Sequence, residues 1–240
     1  MKRAKLLRGA SYAYFRLSPE GTTLEAFERA LGQAADKGWS EGELGPNGRR
    51  RDFTSWQVYS GLERGAPMDQ QLDSLFEKLE GVWPHLADGS RAEDLPQLEI
   101  VHDEDAAARL RFRLSEAWVQ VLGSSSGALE IDQYFPVGAR WRYAGQMGRT
   151  RGVFFSFSSA TAPGTRSNPE FRLVNGWEDS MQEASNWVAD WLRGVDRSEQ
   201  WVLSVTQRAG GRSDLGMKFE SDFFGELARV GASISFDLGR

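Results

Sequence analysis

The chain contains 240 residues with a formal net charge of −5, and it has no cysteine and only two histidines. This composition excludes thiol nucleophiles, disulfides and cysteine-ligated zinc. The acidic balance gives no general attraction to nucleic acid or anionic lipid and favours basic partners. A hydrophobic fraction of 40% with 26% charged residues is typical of a globular protein that buries a core.

The chain opens with a strand, a helix and a glycine-rich loop. Alternating β-forming residues predict a strand at 12–17, which ends in turn-forming residues. A capping-box pattern that starts at Thr22 predicts a helix ending at Gly32. Four glycines and a proline make residues 38–48 an exposed loop, and this loop leads into a predicted strand at 53–60.

The second helix has the clearest periodicity in the first half. Apolar residues recur at helical spacing from 72 to 83, and the proline that follows is expected to end the helix. Strands at 98–102 and 110–114 alternate around an acidic turn and are predicted to form a hairpin. A short helix capped by Ser115 and a strand at 128–134 complete this half.

The second half repeats this order of elements at an offset that drifts between about 99 and 109 residues. Its predicted elements are a strand at 153–157, a helix at 177–192, strands at 200–205 and 215–219, a helix capped by Ser221 that closes at Gly231, and a strand at 233–238. The strand at 153–157 matches the strand around Trp56, whereas the early helix has no visible counterpart. The second unit is therefore either trimmed or takes the strand at 128–134 as its first.

The repeated order predicts an α+β fold built from two similar, pseudo-duplicated units. Residues 1–134 form the first unit and residues 135–240 the second, trimmed unit. Each unit is expected to be a mostly antiparallel sheet with helices packed on one face.

A family resemblance accompanies this pattern. Residues 12–83 hold an aromatic strand, a helix with a leucine-glycine ending, a tryptophan-containing glycine-rich loop, a tryptophan strand and a long amphipathic helix. Residues 220–238 add a helix and a strand that ends in an aliphatic, aromatic and aspartate run. The pattern resembles the bacterial domain-of-unknown-function family numbered 4279. That resemblance transfers no catalytic residues, and it implies a small accessory protein of bacteria, similar in some members to immunity proteins against secreted toxins.

Neither histidine is expected to be catalytic. His85 lies at the predicted exit of the second helix, where capping or packing accounts for an imidazole. His102 adjoins an acidic turn formed by Asp103, Glu104 and Asp105, which is a candidate binding surface. Alternate side chains on a strand point to opposite faces, so these groups are not expected to converge on a metal ion. The sequence predicts no catalytic residue, no metal site and no cofactor, because none of the familiar hydrolase, metalloprotease or nucleotide-binding motifs is present.

One constellation of aromatic and arginine residues recurs. Its members are Trp39, Arg49, Arg50 and Arg51 in the first unit and Trp141, Arg142, Tyr143, Arg149 and Arg151 in the second. Guanidinium groups beside aromatic rings suit the recognition of carboxylates, other anions or unstacked bases, and both residue types are enriched at interface hot spots. The alternative is that the tryptophans pack as structural plugs while the arginines solvate a loop.

The remaining tryptophans are expected mainly in the core. Trp83, Trp177 and Trp191 lie on apolar helix stripes, and Trp56 lies on an alternating strand. Trp187 falls away from its stripe and is the better candidate for a partly exposed contact or a contact between the units.

These observations favour a non-catalytic protein-binding module, with an immunity protein that neutralises a basic toxin as its specific form. The basic N-terminus lacks an uninterrupted apolar segment, so we expect a cytoplasmic chain that does not span a membrane. A monomer is favoured. Two alternatives stay open: an enzyme that uses carboxylates and arginines on a small anionic substrate, and RNA or single-strand binding through the Trp/Arg loops. The acidic total counts against nucleic acid.

Overall fold

The computed structural model describes the chain in eight segments, within which all structural statements below fall. These segments are residues 11–87, 96–103, 110–134, 152–159, 170–173, 177–193, 200–208 and 216–239. They contain two mixed β-sheets with helices, which confirms the α+β class expected from the sequence.

The elements have the following bounds in chain order. The strands are β1 (Tyr12–Leu17), β2 (Lys37–Trp39), β3 (Ser55–Tyr59), β4 (Gln97–Asp103), β5 (Leu110–Leu114), β6 (Ala128–Tyr134), β7 (Gly152–Ser159), β8 (Glu170–Leu173), β9 (Trp201–Arg208), β10 (Gly216–Phe219) and β11 (Ser233–Gly239). The helices are α1 (Leu24–Leu31), α2 (Met68–Lys78), α3 (Trp83–Ala87), α4 (Glu116–Ser124), α5 (Trp177–Leu192) and α6 (Ser221–Ala228).

The two sheets share one pattern of pairing. The first sheet has the order β10-β6-β4-β1-β3-β2 and the second sheet has the order β5-β11-β9-β7-β8. Each sheet contains one parallel pair, β4 with β6 and β9 with β11, and the other neighbours are antiparallel. The parallel strands are joined by crossovers that contain α4 and α6, as parallel pairing requires.

Each sheet is completed by a strand from the other half of the chain. β5 pairs with β11 in the second sheet, and β10 pairs with β6 in the first sheet. The hairpin predicted between β4 and β5 is therefore wrong, because these two strands lie in different sheets. Alternation of apolar residues determines which face of a strand is buried, but it does not determine which strand lies beside it.

The pairing register extends the similarity of the two halves to single residues. Leu129 pairs with Phe219 in the first sheet, and Leu114 pairs with Ile234 in the second. Ile234 follows Leu129, and Phe219 follows Leu114, by the same 105 residues. The strands β4 to β6 therefore correspond to β9 to β11 with a constant offset, which is tighter than the drifting offset expected from the sequence.

The strands that precede β4 and β9 correspond to one another differently from the match expected from the sequence. β7 pairs with β9 as β1 pairs with β4, so β7 takes the place of β1 and not of the strand around Trp56. β8 takes the place of β3, and only ten residues connect it to β7. β6 lies within the first sheet and is not the opening strand of the second.

Both sheets direct one face into a common hydrophobic core. Ala13, Phe15 and Leu17 of β1 are buried, whereas the side chains between them are partly exposed. α4 and α6 pack against each other, and Gly123 permits their close approach: a Cβ there would lie 2.9 Å from the carbonyl carbon of Phe224. The helices therefore join the two sheets into one core.

The helices begin and end largely where local chemistry directs them. Ser115 caps α4 by accepting a hydrogen bond from the backbone of Trp118, as predicted. The predicted caps of two other helices are wrong by one residue: Thr23 and not Thr22 caps α1, and Ser221 is the first residue of α6, whose cap position is Glu220. Pro84 does not end α2 as expected; it lies in the first turn of the separate helix α3, a position that needs no backbone donor. The α2 helix has already ended at Lys78.

The tryptophans expected in the core are buried or half-buried where their side chains are described. Trp56 is buried, and Trp83 and Trp191 pack against the core from partly exposed positions. Trp187 is also partly exposed and stacks on Phe157 with 5.6 Å between the ring centroids. The side chain of Trp177 lies outside the described residues.

Candidate functional site

Trp39 and the three arginines predicted to accompany it belong to a β-hairpin, residues 39–53, which we call the tryptophan hairpin. Trp39 ends the short edge strand β2, which the sequence had placed in a loop. Beyond it the chain folds back on itself: the amide of Gly42 donates to the carbonyl of Arg51, and the amide of Arg51 donates to the carbonyl of Glu43. Gly42 adopts a φ of 78°, a left-handed conformation that favours glycine. The segment is thus a hydrogen-bonded ribbon.

The structure brings Trp39 and Arg51 into direct contact. The Arg51 guanidinium lies 4.3 Å from the centroid of the Trp39 ring, and the Phe53 ring centroid lies 6.0 Å away. The Trp39 Nε1 is shielded from solvent and donates no hydrogen bond within the described residues. Trp39 is therefore an anchor of the hairpin, and Arg51 covers it.

Arg49 and Arg50 occupy the outside of the same hairpin. Both are exposed, and Nη1 of Arg50 donates to the carbonyl of Gly42 at 3.0 Å. Leu44 and Phe53 accompany them, with 65% and 43% of their surfaces exposed. Three large hydrophobic residues are exposed in the described part of the chain, and two of them lie here. Sequence reasoning did not select Leu44 or Phe53, because exposure of a single apolar residue becomes visible only in the folded hairpin.

A second polar surface, also missed by the sequence, covers the outer face of the first sheet. We call it the tyrosine–carboxylate face, and it comprises Tyr12, Tyr14, Tyr59, Glu99, Glu130 and Asp132. Strand register aligns Tyr59, Tyr14, Glu99, Glu130 and Lys218 in one row across five strands. A neighbouring row contains Tyr12, Val101, Asp132 and Gly216. These residues are distant in sequence, so only the pairing brings them together.

Glu99 lies at the centre of this face and is only 6% exposed. The Tyr14 hydroxyl donates a hydrogen bond to Oε2, and Nη1 of Arg16 lies 3.0 Å from Oε1. Burial raises the pKa of Glu99, and the nearby charges of Glu130 and Asp132 raise it further, against the opposing effects of Tyr14 and Arg16. Burial and the hydrogen bond to Glu99 also raise the pKa of Tyr14.

The tyrosines form a continuous aromatic row beside this carboxylate. The ring centroids of Tyr14 and Tyr59 are 5.1 Å apart, and those of Tyr12 and Tyr14 are 6.1 Å apart. The guanidinium of Arg64 lies 4.2 Å from the centroid of Tyr12. The Tyr59 hydroxyl donates to Gln57 Oε1, and burial raises the pKa of Tyr59. The row therefore presents aromatic faces that already accept one guanidinium.

A cleft of about 390 Å³ lies where α2, β5, α4 and β11 meet. Arg113 crosses it and is held at both ends: its backbone amide donates to Asp69, and its guanidinium donates to Ser233 at 2.7 Å. Glu116 at its edge accepts a hydrogen bond from Gln120. Arg113 thus bonds to Asp69 of the first half through its backbone and to Ser233 of the second half through its guanidinium.

The remaining predicted site residues are placed only in part. Asp103 ends β4, and Glu104 and Asp105 lie outside the described residues. The second constellation, Trp141, Arg142, Tyr143, Arg149 and Arg151, also lies outside them. His85 is exposed in α3, whereas His102 is buried and its Nδ1 forms a hydrogen bond with the hydroxyl of Ser11.

Metal-binding groups and membrane-spanning helices are both missing from the described segments. Within them, no group of three or more histidine, aspartate or glutamate residues is arranged to hold a metal ion. None of the helices in these segments combines the length and the apolar character needed to cross a bilayer.

Fold and site together define an α+β protein of two interlocked sheets that carries an exposed tryptophan hairpin and a polar sheet face. Residues 9–136 match a family described as a domain of unknown function, DUF4279. The chain belongs to this family. The matched residues include β5, whose partner β11 lies beyond them. No curated protein and no solved structure matches the chain.

Proposed function

We propose that this protein is a non-catalytic protein-binding module and that the tryptophan hairpin is its principal contact surface. The observation that carries the proposal is the exposure of Leu44 and Phe53 on a hydrogen-bonded ribbon. Protein interfaces combine an apolar centre with a polar rim, and arginine and aromatic residues dominate their binding energy. Arg49 and Arg50 supply such a rim around Leu44 and Phe53.

The construction of the hairpin supports this role. Arg51 and Phe53 both lie against the Trp39 ring, so the apolar side chains are presented by a preformed scaffold. A preformed contact surface loses little conformational entropy on binding. Among the described residues, Arg51 packs on Trp39 and joins no pair of carboxylates, which supports a binding role for this hairpin.

We further propose that the partner is a basic protein, with a secreted toxin as its specific form, and that the chain acts as an immunity protein in the bacterial cytoplasm. The net charge of −5 supports a basic partner, because complementary charge speeds association and improves specificity. The family resemblance supports the immunity role. The internal similarity of the two halves supports a duplication of one α+β unit, residues 1–134 and 135–240, in which the second unit is trimmed.

The test is affinity capture with the tagged full chain from an extract of cells that naturally produce it. We expect a captured protein, and we expect the double variant Leu44→Ala/Phe53→Ala to bind it at least about thirtyfold more weakly, because each truncated hot-spot side chain typically costs about 2 kcal/mol. Quantitative titration of the captured protein against both chains measures the difference.

Leu62→Ala is the matched control. Leu62 is 42% exposed, close to the value for Phe53, but it lies outside the hairpin. It should leave binding within about twofold of wild type. Equal binding by the hairpin variant and wild type, or the absence of any captured protein, would contradict the proposal.

A further inference from the structure

The two sheets carry a pair of equivalent aspartates with different neighbours. Asp237 of the second sheet follows Asp132 of the first by the same 105 residues that relate the rest of these strands. Asp237 pairs in register with Arg111, and Nε of Arg111 lies 3.2 Å from its Oδ1. Asp132 pairs in register with Gly216, which has no side chain. The second sheet thus contains a guanidinium at the position where β10 of the first sheet presents only Gly216.

Among the described residues, the carboxylates beside Gly216 have no cationic partner. The Asp132 side chain makes no hydrogen bond or ion pair within the part of the chain that the structure describes. Glu130 accepts a hydrogen bond from the neutral amide of Gln97. Lys218 lies beside Glu130 in register, but its Nζ is 2.7 Å from Glu220. Both carboxylates are partly exposed and therefore accessible to a cation.

Aromatic rings lie on the opposite side of Asp132 from Gly216. Tyr12 and Asp132 lie in one row, separated by Val101, and two strand spacings place their backbones about 10 Å apart. Val101 provides an apolar floor between them. The Arg64 guanidinium over the Tyr12 ring shows that this aromatic row accepts a planar cation. Tyrosine faces and carboxylates are the two groups that bind guanidinium best.

We propose that the tyrosine–carboxylate face binds an arginine side chain of a polypeptide partner, with its guanidinium against Asp132 and Glu130 and beside Tyr12. The bound guanidinium would neutralise Asp132 as Arg111 neutralises Asp237 in the second sheet. This site deepens the proposed protein-binding role and rests on that role for the identity of the ligand as part of a polypeptide. It lies on β1 and β6, next to β10 of the other half of the chain.

The experiment is calorimetric titration of the full chain with the peptide Gly-Arg-Gly-Arg-Gly-amide and with its counterpart that carries citrulline in place of arginine. Citrulline keeps the shape of arginine and removes its charge. We expect the arginine peptide to bind at least about tenfold more tightly. Asp132→Asn should weaken it by about tenfold, which corresponds to one lost charged hydrogen-bonding partner.

Gly216→Arg tests the same site without removing a carboxylate. The new arginine supplies within the chain the group that Arg111 supplies to Asp237, so we expect it to displace the peptide and to reduce binding by about tenfold. Glu77→Gln is the control, because it removes one charge from an exposed position of α2 and should change binding by less than about twofold.

Several results would overturn the proposal. They are the absence of binding by wild type, equal binding of the citrulline peptide, unchanged binding by Asp132→Asn and Gly216→Arg, or an equal loss in Glu77→Gln, which would indicate attraction to overall charge. Tighter binding of free agmatine than of the peptide would assign the site to a small molecule and overturn the polypeptide ligand. Leu44→Ala/Phe53→Ala is titrated in parallel and should bind the peptide normally, so failure of the hairpin proposal and failure of this one are distinguishable.

Discussion

Glu99 illustrates how single residues of this protein depend on strands that are distant in sequence. Glu99 lies within the alternating sequence of β4, and this alternation predicts neither its burial nor the charged residues beside it. Pairing with β1 brings Tyr14 to its side, and pairing with β6 brings Glu130. The polar partners of this buried carboxylate, Tyr14 and Arg16, both come from β1, whereas β6 places a second carboxylate beside it.

Stability should depend on pH through Glu99. Its pKa in the folded state is raised above the ordinary value of 4.5, so the folded chain binds this proton more tightly than the unfolded chain does. This tighter proton binding stabilises the folded chain fully when the pH is below 4.5, and the stabilisation is lost as the pH rises through the raised pKa of Glu99. We expect the free energy of unfolding of wild type, minus that of Glu99→Gln, to fall as the pH rises from about 4 toward 8.

Urea unfolding of wild type and Glu99→Gln across this pH range measures the difference in their free energies of unfolding. Groups that titrate alike in the two proteins cancel from this difference. The same comparison with Glu77→Gln, whose site is exposed, should show no comparable trend. A difference for Glu99→Gln that stays constant or grows with pH would contradict the assignment of a buried carboxylate.

At the scale of elements, patterns that act locally predicted the structure well. The cap at Ser115, the helix ending at Gly32 and the alternating strands β1, β9 and β11 follow from neighbouring residues, and all are present. The short strands β2 and β8 were missed because three or four residues carry too little periodicity to recognise.

Pairing between elements was predicted less well, for a physical reason. β4 and β5 alternate around a short acidic connection and therefore resemble a hairpin, yet each finds its partner in a different sheet. The packing of α4 on α6 brings β5 to β11 and β10 to β6, and such packing has no signature within either strand. The composition of the tryptophan hairpin pointed to Trp39 and Arg51 in the sequence. No pattern in the sequence indicated that Leu44 and Phe53 would be exposed.

For the molecule as a whole, the exchanged strands should make unfolding cooperative across both halves. β5 cannot leave the second sheet without disturbing the first half of the chain, and β10 has the converse effect. Phe112 of β5 stacks on Phe236 of β11 with 4.5 Å between the ring centroids. Phe112→Ala should therefore destabilise the entire chain by about 3–5 kcal/mol while a single transition is retained.

Urea unfolding followed by circular dichroism and by tryptophan fluorescence measures this behaviour. The two signals should coincide for wild type and should shift together in the variant. A plateau between two transitions, with only the later or the earlier one moved by Phe112→Ala, would show that the halves unfold independently.

We propose that a protein partner binds through the tryptophan hairpin. Amide hydrogen exchange of the full chain, measured alone and with the captured partner, is the sharpest test of this binding mode because it locates the contact without altering the sequence. We expect slower exchange within residues 40–53 when the partner is bound, with β9 and β11 unchanged. Unaltered exchange in the hairpin, with protection confined to the second sheet, would contradict it.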